Sequence, residues 1–279
     1  MRFAEMRELA ELAEARGLNS IWVADHFFYQ PPGEEPRGLW EAWTVLGALA
    51  AATSRVELGT LVTCAPFRHP ALLAWMANTL DEVSDGRLVL GLGAGWHEPE
   101  FAAFGLEFKR RVSYFADTLA IAVPLLRDGR VDHDGELASA HAELRPPGPR
   151  AGGPPILIAS VGPRMLELTA RWADRWVSAW HGPPGEEFWQ ERQSLVDACQ
   201  GVDRDPAEIE VVVGVDIIDE PTPDDLADGA FLTGSEQDLA DALRGWQAEG
   251  VTEVICRLDP PTPAMAERVA RATELLRAS

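Results

Sequence analysis

The stretch Leu80-Asp81-Glu82-Val83-Ser84-Asp85-Gly86-Arg87-Leu88-Val89-Leu90-Gly91-Leu92-Gly93-Ala94-Gly95-Trp96 decides how the chain is read. Its first residues close an apolar pattern of helical period over 70–83, with Pro70 placed where a first helical turn accepts proline. Ser84-Asp85-Gly86-Arg87 is a turn. Leu88 to Leu92 is a short run of almost unbroken apolar residues, the mark of a strand covered on both faces. Helix, tight turn and buried strand make one unit of an α/β fold.

Working outward, the same unit recurs. Upstream lie a helix over 3–15 ended by Gly17, a strand over 20–24, a helix over 40–53 and a strand over 56–63. Downstream come a helix over 112–127 and strands over 156–160, 176–180, 210–218 and 254–258. Helices over 163–173, 186–199, 236–249 and 263–277 alternate with them. Residues 129–153 break the rhythm with an Asp134-Gly135 hairpin signal and a Pro/Gly-rich run from Pro146 to Pro155. With 97–111 they are read as insertions in a single domain over 1–279. Seven parallel strands covered by helices predict a (β/α)8 barrel whose first strand is lacking, since the chain opens inside a helix; an open doubly wound sheet is the other architecture. Pro31, Pro32, Gly33 and Pro36 suggest a loop over 27–39 that could serve as a lid.

At 279 residues the chain can bury a full core without staples. Its 45 acids against 24 bases give a net charge of -21, which disfavours nucleic acid and anionic membranes as partners. No signal peptide or membrane span is read, so a cytoplasmic location is expected. Cys64, Cys199 and Cys256 are too few and too scattered for a disulfide framework or a zinc knuckle, and no metal site is expected.

Active sites of barrels sit at the C-terminal ends of strands. Those ends place Asp25 and His26; Thr63 and Cys64; Gly93, Ala94, Gly95, Trp96 and His97; Ser160, Val161 and Gly162; and Trp180 with His181. A strand-end histidine suits proton transfer near neutral pH, and the plainer reading of His26 is a loop cap. His97, Trp180 and His181 are taken as substrate-pocket residues. Gly91 to Gly95 fails the dinucleotide fingerprint, because Trp96 stands at the third glycine; such a strand end suits close approach of a planar ring. Ser160-Val161-Gly162 before Pro163 reads either as a phosphate site or as plain capping.

The runs Ser20-Ile21-Trp22-Val23-Ala24-Asp25-His26-Phe27, Leu58 to Thr63, and Leu80 to Trp96 resemble the luciferase-like monooxygenase family, and most of all its coenzyme F420-dependent branch. Glu98 to Phe104-Gly105 and Pro155 to Trp176 continue the likeness. The resemblance implies a barrel that binds F420, with FMN as the alternative, at the C-terminal face. It further implies that Asp25-His26 is the acidic–histidine pair near the ring and that Thr63-Cys64-Ala65 is a bulge behind the ring, often holding a non-proline cis peptide. Gly93 to Trp96 would touch the ring, and Ser160-Val161-Gly162 would be the phosphate loop. The implied activity is hydride transfer between deazaflavin and a small organic substrate, with His26 moving the proton and Asp25 orienting it. An FMNH2-dependent monooxygenase served by a flavin reductase, and a non-catalytic flavin-binding barrel, are the alternatives. A homodimer is expected. Sugar-phosphate dehydrogenases of the branch carry a glutamate after the strand-four glycines, where this chain has Trp96, with Glu98 the nearest acid.

Overall fold

Apolar periodicity and punctuation by Pro and Gly produce the elements in chain order. The computed structural model describes residues 1–29, 35–222, 225 and 230–278. The elements begin with α1 (Phe3–Ala15), β1 (Ser20–Val23), β2 (Phe28–Tyr29), β3 (Arg37–Gly38), α2 (Ala42–Ala52), β4 (Glu57–Thr60), β5 (Thr63–Cys64), α3 (Pro70–Val83) and β6 (Leu88–Gly93). They continue with α4 (Glu98–Phe104), α5 (Arg111–Asp128), β7 (Arg130–Asp134), β8 (Ser139–Glu143), β9 (Ile156–Ala159), α6 (Pro163–Trp172) and β10 (Arg175–His181). The last are α7 (Glu186–Gly201), β11 (Glu210–Ile218), α8 (Glu236–Ala248), β12 (Glu253–Asp259) and α9 (Pro263–Ala278). Pro31, Pro32 and Gly33, on which the lid reading leaned, lie outside the described residues. Among the described residues no helix is long and apolar enough to cross a membrane.

The chain forms two compact units, one of Trp22–Ile158 and one of Met1–Ile21 with Ala159–Ser279. In the first unit the parallel order is β1-β4-β6-β9. Leu58 and Gly59 stand opposite Leu88 and Val89. Leu90, Gly91 and Leu92 stand opposite Ile156, Leu157 and Ile158. Every residue of β6 is buried, as its apolar run requires. Helix α3 turns Leu73, Ala74, Ala77 and Leu80 inward, and α5 does the same with Phe115, Leu119, Ala122 and Leu125.

One strand differs from the pattern. The run read as a strand over 56–63 stops at Thr60 and resumes as β5 at Thr63, which pairs with Leu92. Between them the Leu61–Val62 peptide is cis; the cis bond expected within Thr63-Cys64-Ala65 therefore lies earlier in the chain. A side chain replaces the ladder at the break: Thr60 Oγ1 bonds the Gly91 carbonyl at 3.0 Å and accepts from Thr63 N–H at 3.1 Å. The 129–153 stretch holds the hairpin of β7 and β8, and 97–111, the other stretch read as an insertion, holds α4.

Gly91 shows how little room the break leaves. A Cβ at this position would sit 1.9 Å from the Thr60 carbonyl oxygen, a backbone atom that cannot step aside. Gly91→Ala is expected to cost about 3 kcal/mol or more and to remove most of the soluble folded protein, read by urea unfolding and yield. Unchanged stability would contradict this packing.

In the second unit β10, β11 and β12 run parallel, with Val177 opposite Val212 and Gly214 opposite Ile255. Trp176, Phe188 and Trp246 are fully buried among Leu195, Val213 and Leu239. The chain's opening helix α1 is tied to α9 through Arg16 Nε and Glu267 Oε1 at 2.9 Å.

Candidate functional site

Asp25 and His26 lie just past the end of β1 and bond different partners. Asp25 is almost fully buried and holds Arg68 with both oxygens, at 2.6 and 2.9 Å, while accepting from Cys64 N–H at 2.9 Å. Arg68 also reaches Glu41 Oε1 at 2.8 Å and lies over the Trp43 ring. Burial works against the Arg68 charge, but the hydrogen bonds and charge of Asp25 and Glu41 outweigh it and hold its pKa above the ordinary value. Asp25 is thus a brace for the 61–68 segment. It is not the acid that orients His26, and that expectation is corrected.

The acid beside His26 is Glu100. Its Oε2 lies 2.6 Å from His26 Nδ1, and its Oε1 accepts from the N–H groups of Phe27 at 2.6 Å and Phe28 at 3.2 Å. Glu100 is 1% exposed, whereas Glu98, the acid singled out from the sequence, is on the surface. The signal for Glu100 was faint, because an acid in the first turn of a helix ordinarily reads as a partner of the helix dipole. Pro99 places α4 so that Glu100 and Phe101 both turn inward.

Around the imidazole lies a group of rings. Trp96 stands edge-on to His26 at 5.4 Å between centroids and to Tyr29 at 5.8 Å, and it is 60% exposed. His97 is buried beside His26 at 6.2 Å, Phe28 at 5.9 Å and Tyr29 at 5.6 Å. Its Nε2 has no hydrogen-bond partner. An orphaned buried nitrogen costs free energy and is a place where a ligand atom is welcome.

The glycines at the end of β6 pack against the segment 62–64. Thr63 and Ala65 are fully buried and Cys64 nearly so. A Cβ at Gly93 would meet Val62 Cγ2 at 2.7 Å, and one at Gly95 would meet Cys64 Sγ at 2.6 Å. The glycines therefore admit the chain's own Val62 and Cys64. Gly93 and Ala94 are buried, and Gly95 has a positive φ whose carbonyl accepts from Arg111 Nε at 3.0 Å. Burial, followed by the nearby charges of Asp25 and Glu100, pushes the Cys64 thiol far above its usual range, so it stays protonated.

The remaining strand-end residues belong to the second unit. Ser160 does not cap α6: its hydroxyl pairs with Thr169 Oγ1 at 2.8 Å, and its carbonyl accepts from Trp176 Nε1 at 3.0 Å. Gly162 is the N-cap and Val161 is 65% exposed. Trp180 follows a second cis peptide, Ala179–Trp180, and carries the Arg257 guanidinium 4.5 Å from its ring centroid. Gly214 leaves the space that ring fills, since a Cβ there would lie 2.9 Å from Trp180 Cε3. His181 is buried, with Nε2 2.6 Å from Ser178 Oγ, which in turn donates to Glu191. Phe188 and Trp246 pack on its ring.

The chain belongs to the luciferase-like monooxygenase family, whose model matches residues 1–226. It is 31% identical over 242 residues to a phthiodiolone/phenolphthiodiolone dimycocerosates ketoreductase of Mycobacterium sp. (strain JLS), an alignment covering 77% of this chain and 61% of that one. It is 31% identical over 229 residues to F420-dependent glucose-6-phosphate dehydrogenase 1 of Rhodococcus jostii (strain RHA1), covering 79% and 66%. The chain thus spans about three fifths to two thirds of the length of these relatives. Among solved structures it resembles the coenzyme F420-dependent tetrahydromethanopterin reductase of Methanopyrus kandleri, with a TM-score of 0.81 and 18% identity over 100% of this chain and 96% of that one. The fold is the luciferase-like α/β barrel, as the strand count suggested.

Proposed function

We propose that the protein is an F420-dependent oxidoreductase that exchanges a hydride between the deazaflavin and a small organic substrate. The observation that carries this reading is His26, part-exposed just past a strand end, its Nδ1 tied to a buried carboxylate and its ring set among aromatic residues. The F420-dependent name of a relative at 31% identity supports the choice of cofactor.

The residues fit such a group. Trp96 offers an exposed flat surface, and His97 Nε2 is a buried polar atom awaiting a partner. Gly93, Ala94 and Gly95 would lie along the ring, with Thr63, Cys64 and Ala65 supporting them from behind. In its own unit, Ser160-Val161-Gly162 precedes a helix start whose first amides suit a phosphate. When bound, reduced F420 supplies the hydride. His26 supplies or takes the accompanying proton, His97 would hold the substrate's polar atom, and the surrounding rings exclude water. Asp25 keeps the 61–68 segment in place. Within the second unit, Trp180 and His181 are proposed as substrate-contacting residues. Trp96, standing where an acid is expected for sugar phosphates, favours a substrate with an apolar body.

The same proposal includes one barrel domain over 1–279 with insertions at 97–111 and 129–153. It also includes a cytoplasmic location, a homodimer and a separate reductase that regenerates the cofactor. Fluorescence titration with F420 and with FMN tests the reading. F420 is expected to bind at least tenfold more tightly; tighter FMN binding, with oxygen consumed from reduced FMN, would favour a monooxygenase instead.

A further inference from the structure

Both oxygens of the buried Glu100 carboxyl are engaged: Oε1 by the amides of Phe27 and Phe28, Oε2 by His26 Nδ1 at 2.6 Å. With Oε1 accepting from two amides, the carboxylate acts toward His26 as an acceptor, and an acceptor-only carboxylate has no hydrogen to give. The hydrogen between Glu100 and His26 therefore belongs to Nδ1, whether the ring is neutral or protonated. The consequence appears at the other nitrogen. Nε2 carries a lone pair in the neutral ring and an N–H in the imidazolium. Asp25 cannot perform this service, because its oxygens are held by Arg68 and Cys64 N–H.

We propose that Glu100 is the positioning residue that fixes the tautomer of His26, so that Nε2 is the one nitrogen through which His26 gains or loses a proton. In the oxidising direction the substrate O–H bond breaks and its proton passes to the Nε2 lone pair, while the carbon-bound hydride passes to oxidised deazaflavin. In the reducing direction Nε2–H protonates the carbonyl oxygen as hydride arrives at its carbon. Glu100 accepts from Nδ1–H throughout. These proton steps rest on the hydride-transfer reading; the tautomer does not.

The test uses the full chain without cofactor, labelled with 15N-histidine, in the wild type and in Glu100→Gln. Glutamine keeps an oxygen for the two amides but turns its NH2 toward Nδ1, which must then accept, so the hydrogen moves to Nε2. NMR, with the His26 resonances identified by His26→Gln, is expected to show neutral wild-type His26 protonated at Nδ1 and the variant protonated at Nε2. A wild-type ring protonated at Nε2, or a variant that keeps the wild-type pattern, overturns the proposal. In turnover with F420, Glu100→Gln is expected to lose about 10²-fold in kcat with KM within about threefold. An unchanged kcat in a variant whose tautomer has flipped overturns the role in proton transfer. Failure of both proteins to bind F420 refutes the hydride-transfer reading, and the NMR result still decides the tautomer.

Discussion

His26→Ala is expected to lower kcat by about 10²–10⁴-fold while leaving F420 affinity within a few-fold. The ring is part-exposed, with a side-chain accessibility of 22%, so its loss removes little core packing. What it removes is the group that handles the proton, and it strands the Glu100 carboxylate without its imidazole partner. The two amides of Phe27 and Phe28 still hold that carboxylate, so the fold is expected to survive. Steady-state kinetics paired with a binding titration separates the outcomes. Turnover within twofold of wild type would mean that His26 does no proton work.

The second large effect falls on stability. Asp25→Asn is expected to destabilise the protein by about 3 kcal/mol, measured by urea unfolding. Asp25 and Arg68 have side-chain accessibilities of 1% and 8%, so removing the aspartate charge leaves a buried guanidinium with Glu41 as its remaining anionic partner. The same substitution weakens the acceptor of Cys64 N–H, and with it the hold on the 61–68 segment. Activity falls along with stability, and a conformational role predicts that both recover together under stabilising conditions. A variant as stable as wild type but inactive would return Asp25 to the chemistry.

The strands that form the scaffold were readable because burial on both faces writes itself as an apolar run. Leu88 to Gly93 is the clearest case, bounded by Gly86 before it and by Gly95 after it. The interruption at Leu61 and Val62 was not readable, because it is held by the Thr60 hydroxyl reaching the Gly91 carbonyl, thirty-one residues away. His26 was singled out in the sequence from its place at the end of a strand. Its partner was misassigned because adjacency in sequence was taken for adjacency in space, whereas Asp25 bonds Arg68 and His26 bonds Glu100. Glu100 lies seventy-four residues from His26, and only the fold brings the two together. The hairpin at 130–143 was foretold by Asp134-Gly135, whereas α4 was hidden by its shortness and by the prolines and glycines around it.

Hydride transfer from F420 is the central claim, and anaerobic single-turnover spectroscopy tests it most directly. Reduced F420 is bound to the protein and mixed with a panel of small ketones and aldehydes, and the return of the oxidised deazaflavin absorbance is followed. Reoxidation without oxygen by at least one carbonyl compound, slowed about 10²-fold or more in His26→Ala, is the predicted result. No reoxidation by any carbonyl compound, with a bound reduced FMN consuming oxygen instead, would contradict the account.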